Sequence, residues 1–147
     1  MLVILGLVGV PIAMLNDLNQ VAALLLVSGA EYLAVFEAAQ LQSFAVFFLS
    51  LHKQGIIIAS IFWGLWLLPY GILVKKSGYF PKILGTLVVL AGIGYTLASF
   101  VHILFPDYRS VISFLEFLTI GEVVFMVWVL FKGAKLPLQE VDGEGAQ

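Results

Sequence analysis

The chain has 147 residues, of which 62% are hydrophobic and 11% charged, with a net charge of −2 and no cysteine. Soluble domains run about 45–50% apolar and about 25% charged. A mean hydropathy of +1.10 therefore excludes a soluble fold and points to a polytopic membrane protein. No basic patch is available for nucleic acid, and thiol catalysis, disulfides and Cys-ligated metals are excluded.

A helical span takes ~20 apolar residues, so the length allows about four spans, short loops and no soluble domain. The first apolar stretch covers residues 1–28, with Pro11 removing the helical bond to the Leu7 carbonyl. It lacks a basic leader and is interrupted by Asn16-Asp17-Leu18-Asn19-Gln20, so it reads as a span rather than a cleaved signal peptide. Asn16, Asn19 and Gln20 recur at i, i+3, i+4 and share one helix face. Residues 31–42 read as an acidic, partly helical connection.

The second span covers residues 40–75 and contains LHKQGIIIASIFWGLWLLPYGILVKK. Ser60 and Gly64 are four apart, Gly71 follows seven later, and Gly55 and Ala59 form a second pair. Small residues at such spacings let helices approach closely where lipid competes for apolar contact. Pro69 frees the Leu65 carbonyl, which neighbouring helices must shield. The third span, residues 82–105, carries Gly85 and Gly92 seven apart, then Tyr95, Ser99 and His102 along the same stripe. The fourth, residues 111–132, carries Glu116 and Glu122, and residues 133–147 read as a disordered acidic tail. The expected architecture is an all-α transmembrane bundle of four helices. Lys75, Lys76, Lys82, Lys132 and Lys135 fall on one side and Arg109 on the other, which places both termini in the cytoplasm.

Helix rise puts Asn16, Asp17, Asn19, His52, His102 and Glu116 near one outer level. That level is either the wet membrane interface or an enclosed polar pocket. Glu122 stands apart at mid-span, ~15 Å from Lys132. An ionised carboxylate there costs ~2.5–3.5 kcal/mol on insertion scales, so it should be protonated, paired or hydrogen-bonded. It is a proton relay, a ligand contact, or a helix–helix hydrogen bond to Tyr95, Thr96 or Ser99. The candidate ligand-binding set is Asn16, Asn19, His52, Tyr95 and Glu122. Weaker alternatives are a haem held by His52 and His102, and a metal held by Asp17, His52, His102 and Glu116. Neither GxSxG nor HExxH nor a phosphate-cradling loop is present, and no enzyme activity or cofactor is expected.

Three segments carry a family resemblance: PIAMLNDLNQVAALLLVSGAEYL, then LHKQGIIIASIFWGLWLLPYGILVKKSGYFPKILG, and Gly121-Glu122 followed by Trp128. The chain resembles the bacterial integral membrane proteins grouped as domain of unknown function 4386. The resemblance implies that Asn16, Asn19, His52, Gly55, Trp63, Gly64, Trp66, Pro69, Ser77, Gly78, Pro81, Gly85 and Glu122 are recurring family positions, while Asp17 and His102 fall outside the pattern. Such proteins usually carry about two further spans before this segment, so the chain looks like a C-terminal four-helix part. A homo-oligomer or another membrane subunit is then expected to cover the face those spans would meet, in the bacterial cytoplasmic membrane. The family carries no assigned reaction. The expected role is a non-enzymatic subunit or accessory, or a binder of lipid or a small apolar ligand. The alternative is a proton-linked transporter using Glu122 and the outer polar belt.

Overall fold

The computed structural model describes Leu2 to Gly133. Five α-helices and one 3-10 turn follow in order: α1 Leu2–Leu26, the turn Glu31–Leu33, α2 Ala38–Lys76, α3 Lys82–Leu104, α4 Arg109–Leu118 and α5 Ile120–Lys132. With α4 and α5 forming one span, four helical stretches are long and apolar enough to cross a membrane. The expected tail lies, from residue 134 onward, outside the described residues; Gly133 ends α5 at φ +65°.

Local chemistry explains where α2 starts and stops. Gln40 accepts a hydrogen bond from the Glu37 backbone N–H through its side-chain oxygen at 3.0 Å, completing a capping box. At the other end, Lys75 and Lys76 complement the helix dipole, and Gly78 turns the chain at φ +74°. Between these ends α2 runs 39 residues through Pro69. That is ~58 Å of helix, longer than a ~30 Å hydrocarbon core.

Glycine pairs set the register between α2 and α3. A Cβ on Gly64 would lie 2.7 Å from the Gly92 carbonyl oxygen, and one on Gly71 would lie 2.8 Å from the Gly85 carbonyl oxygen. The reciprocal distances are 2.8 Å from Gly92 to Gly64 O and 2.7 Å from Gly85 to Gly71 O. Two antiparallel backbones therefore touch at two points a heptad apart, the period that keeps one helix seam on another. Ser60 turns its hydroxyl back to its own helix, donating to the Ile56 carbonyl at 2.8 Å, while Ala59 is fully buried. By helix rise this register brings the end of α3 level with about His52. The first turns of α2 continue past α3 beside α1, where Ala23 and Ala45 are buried.

Helix α5 closes the inner half against α2 and α3. Leu67, Val74, Leu84, Val88, Ala91 and Phe125 form the core there, bordered by Trp66, Tyr70, Phe80, Leu87, Tyr95 and Trp128. Helix α1 instead packs on α2. It buries Asn16 and Ala23 and exposes Leu7, Met14, Leu15, Leu18 and Leu24. Such an inside-out helix is stable where hydrocarbon rather than water lies outside.

The fourth span departs from a uniform helix over residues 111–132. It begins at Arg109 and tightens at Thr119, whose N–H donates to the Glu116 carbonyl at 3.0 Å; the Glu122 N–H in turn donates to the Thr119 carbonyl at 3.1 Å. The Thr119 hydroxyl also donates to the Glu116 carbonyl, at 2.6 Å. A threonine hydroxyl competing for ladder carbonyls is a known cause of such local tightening.

Candidate functional site

The polar residues singled out from sequence fall into three separate groups. The first joins α1 to α2. Asn16, only 8% exposed, donates from Nδ2 to the His52 backbone carbonyl at 2.9 Å and lies 3.0 Å from His52 Nδ1. Asn19 Nδ2 donates to the backbone and side-chain oxygens of Asn16, both at 3.1 Å. Gln20 meets His52 Nε2 at 2.8 Å. His52 Nδ1 also stands 3.3 Å from the Asn16 backbone carbonyl: with the ring proton on Nδ1 it donates there and Nε2 accepts from the Gln20 amide, and with the proton on Nε2 it accepts from Asn16 and the Gln20 amide oxygen faces Nε2.

Gly55 makes this arrangement possible. A Cβ there would collide with the Asn16 carboxamide at Oδ1, Cγ and Nδ2. The spacing of Gly55 and Ala59 suggested helix-on-helix contact; what Gly55 admits is an amide side chain. On the same face, Gly6 and Gly9 lie against Trp66 and Trp63, each with its indole Nε1 3.0–3.2 Å from where a Cβ would stand. The polar groups of this first set satisfy one another, and no buried side-chain nitrogen or oxygen among the described residues lacks a partner. It acts as a clamp.

The second group lies between α3 and α4, where His102 Nε2 and Glu116 Oε1 stand 3.4 Å apart at 35% and 56% exposure. The Gly64–Gly92 register puts His52 and His102 at similar heights, yet they engage different helices. His52 bonds to Asn16 and Gln20, and His102 meets Glu116. Asp17 is exposed and joins neither. No three His, Cys, Asp or Glu side chains gather as a metal site among the described residues. The shared outer belt is thus two groups on different sides of the molecule.

The third group surrounds Glu122, in the first turn of α5 and half-buried. Tyr95 of α3 lies close to the Glu122 carboxyl and the Thr119 side chain, and Tyr70 of α2 lies within electrostatic reach of the same carboxyl. Thr96 and Ser99, the other expected partners, donate to their own helix at the Gly92 and Tyr95 carbonyls. Tyr70 also begins an aromatic series. Its ring stacks on Trp66 at 5.1 Å and 11°, and Phe125 meets it edge-on at 5.8 Å. Phe80 then bridges Phe125 and Trp128 at 5.5 and 6.1 Å. Trp66 also walls an apolar groove of about 380 Å³ with Gly6, Leu7, Val10 and Trp63.

Gln20 and Tyr70 were not in the sequence-derived ligand set. Gln20 has a signal in its spacing four residues after Asn16. Tyr70 has one in its spacing four after Trp66.

Four apolar spans with polar groups enclosed between helices define an integral membrane protein of the polytopic α-helical class. The chain belongs to the family described as Domain of unknown function (DUF4386), which matches residues 1–133. It is also 42% identical over 76 residues to an uncharacterized protein of Archaeoglobus fulgidus, a match covering 52% of this chain and 44% of that relative. No solved structure matches.

Proposed function

We propose that this chain is a non-enzymatic membrane protein that binds a lipid-like or small apolar ligand at the Glu122, Tyr95 and Tyr70 group, beside the Trp63–Trp66 groove. The observation that carries this reading is the contrast between the polar groups. Asn16, Asn19, Gln20 and His52 use their hydrogen-bonding capacity on one another. Glu122 remains half-buried at mid-span, close to Tyr95 and within electrostatic reach of Tyr70, and Tyr70 stacks on Trp66, which walls the apolar groove. Intramembrane carboxylates are costly and are retained chiefly for ligands, ions or protons.

The test is extraction of the purified protein and mass spectrometry of what accompanies it. A recurrent apolar small molecule or lipid should be recovered with the native chain and depleted several-fold in Glu122→Ala and Trp66→Ala. Asn16→Ala should retain it. Equal recovery from all four proteins would sink the assignment. A proton-linked transporter remains the alternative use of the same carboxyl, distinguished by a proteoliposome flux that Glu122→Gln abolishes.

A second reading, an accessory subunit or homo-oligomer, is favoured by α1. It packs on α2 and leaves Leu7, Met14, Leu15 and Leu18 exposed. Cross-linking in native membranes through single cysteines on that face should trap a dimer or a heterologous partner. Monomer alone at every position would remove this reading.

A further inference from the structure

We infer that the cavity at the α3–α4 turn binds a small zwitterion, one molecule carrying both a protonated amine and an anionic group. This site is separate from the Glu122 group and does not rest on the reading given for it.

The first support is the lining. A cavity of about 370 Å³ is bounded by His102 and Pro106 at the end of α3 and by Arg109, Ile112, Ser113 and Glu116 of α4. Arg109, Ser113 and Glu116 recur at i, i+4, i+7 and share one face of α4, while Ile112 among them is buried. Both signs of charge therefore line one cavity. Arg109 and Glu116 nevertheless do not pair, since the sole ion pair among the described residues is His102–Glu116. That contact is 3.4 Å long and uses one carboxylate oxygen, Oε1. A ligand bearing only positive charge would meet Arg109 here, and one bearing only negative charge would meet Glu116. A zwitterion satisfies both walls, with its amine donating to the Glu116 carboxylate and its anionic group accepting from Arg109. The planar guanidinium matches a carboxylate or phosphate in two parallel bonds. Ser113, one turn from Arg109, adds a hydroxyl that donates or accepts.

The second support is depth. His102 follows Lys82 by twenty residues, ~30 Å along α3, which puts it at the far edge of the hydrocarbon core. Arg109 begins α4 at that end of the molecule, and Glu116 lies seven residues or ~10 Å farther in. The cavity thus presents its positive charge at the water side and its negative charge beneath. Two sources offer an amine and an anion in one molecule: a free solute and a zwitterionic lipid headgroup. The headgroup carries its phosphate on the hydrocarbon side and its amine toward water, opposite to the order of Glu116 and Arg109. A solute entering from water with its amine leading meets both charges in order. The depth of the two residues therefore selects the free solute. Near hydrocarbon the lower dielectric also strengthens both contacts relative to water.

The test uses the full chain in maltoside micelles, with ε-aminocaproate as probe and caproate and hexylamine as the matching single charges. Saturation-transfer NMR follows binding, and empty micelles supply the background. The probe should bind saturably and at least about tenfold more tightly than either single charge, the scale of a charge-assisted hydrogen bond. Arg109→Gln should remove the preference over hexylamine, and Glu116→Gln should remove the preference over caproate, whereas Arg109→Lys should keep the preference. These opposite changes in selectivity are not what a general loosening of the turn would produce. The comparison of three probes on the native chain decides the matter even if a variant does not fold. No saturable binding, equal binding of all three probes, or selectivity unchanged in both glutamine variants overturns the inference. Phosphatidylethanolamine added to the micelles distinguishes the sources. Binding that persists in its presence supports the free solute, and displacement by it overturns that choice in favour of the headgroup.

Discussion

Asn16 and Gly55 are the clearest example of a residue whose role depends on one partner. The atoms nearest to a methyl on Gly55 all belong to the Asn16 side chain. Asn16→Ala should cost about 0.6–1.7 kcal/mol, the range for interhelical hydrogen bonds in membranes. Gly55→Ala should cost about 1–3 kcal/mol through overpacking. In the Asn16→Ala background the cost of Gly55→Ala should nearly vanish, because the colliding carboxamide is gone. Thermal unfolding in detergent across the four proteins measures this; additive losses would mean that Gly55 serves backbone contact instead. The i, i+3, i+4 spacing made the shared face of Asn16, Asn19 and Gln20 legible. That this face turns toward His52 was not legible, since a helix apolar on its other sides carries no mark of which direction is inward.

At the scale of helices, the heptad spacing of Gly64–Gly71 and Gly85–Gly92 was visible in the sequence, and the structure matches the two in antiparallel order. Gly71→Leu or Gly92→Leu must push two backbones apart and should cost about 1–3 kcal/mol or more. Gly78 provides the contrast. Nothing lies within 4 Å of its would-be Cβ, and its φ is +74°. Gly78→Ala should therefore cost about 1–2 kcal/mol through backbone strain alone and leave helix packing intact. Near-UV circular dichroism separates the cases, with aromatic signals disturbed in the first two variants and preserved in the third. The tightened turn at Thr119 was missed because a lone threonine within an apolar run has no propensity strong enough to announce it. Thr119→Val should relax that turn and weaken any ligand held by Glu122, measurable as reduced co-purification.

For the whole molecule, four antiparallel spans put Lys75, Lys76, Lys82 and Lys132 at one end and Arg109 at the other. The positive-inside bias predicts that the lysine end faces the cytoplasm. The chain has no native cysteine, so single cysteines report cleanly. Cysteines replacing Ser28 and Ser110 should be labelled by an impermeant maleimide on intact cells, and one replacing Ser77 should be labelled only after lysis. The reverse pattern would invert the topology. The α2, α3 and α5 helices form the packed centre, while α1 is held by its clamp and by Trp63 and Trp66 against Gly9 and Gly6. Loss of the clamp should thus loosen α1 before the remainder unfolds, seen as proteolysis near Ser28 preceding loss of helicity.

Composition and hydropathy by themselves determined that this is a four-span helical membrane protein, because every backbone polar group in hydrocarbon must be satisfied within its own helix. Lysine placement and glycine spacing added an expected orientation and the seams. Tertiary structure alone decided that the polar belt divides into an α1–α2 clamp and a separate His102–Glu116 contact, and that Glu122 comes close to Tyr95. The physical reason is rotational. In water an apolar stripe tells a helix which side faces the core, but in lipid both sides are apolar, so helix orientation is fixed by close packing between residues far apart in the chain.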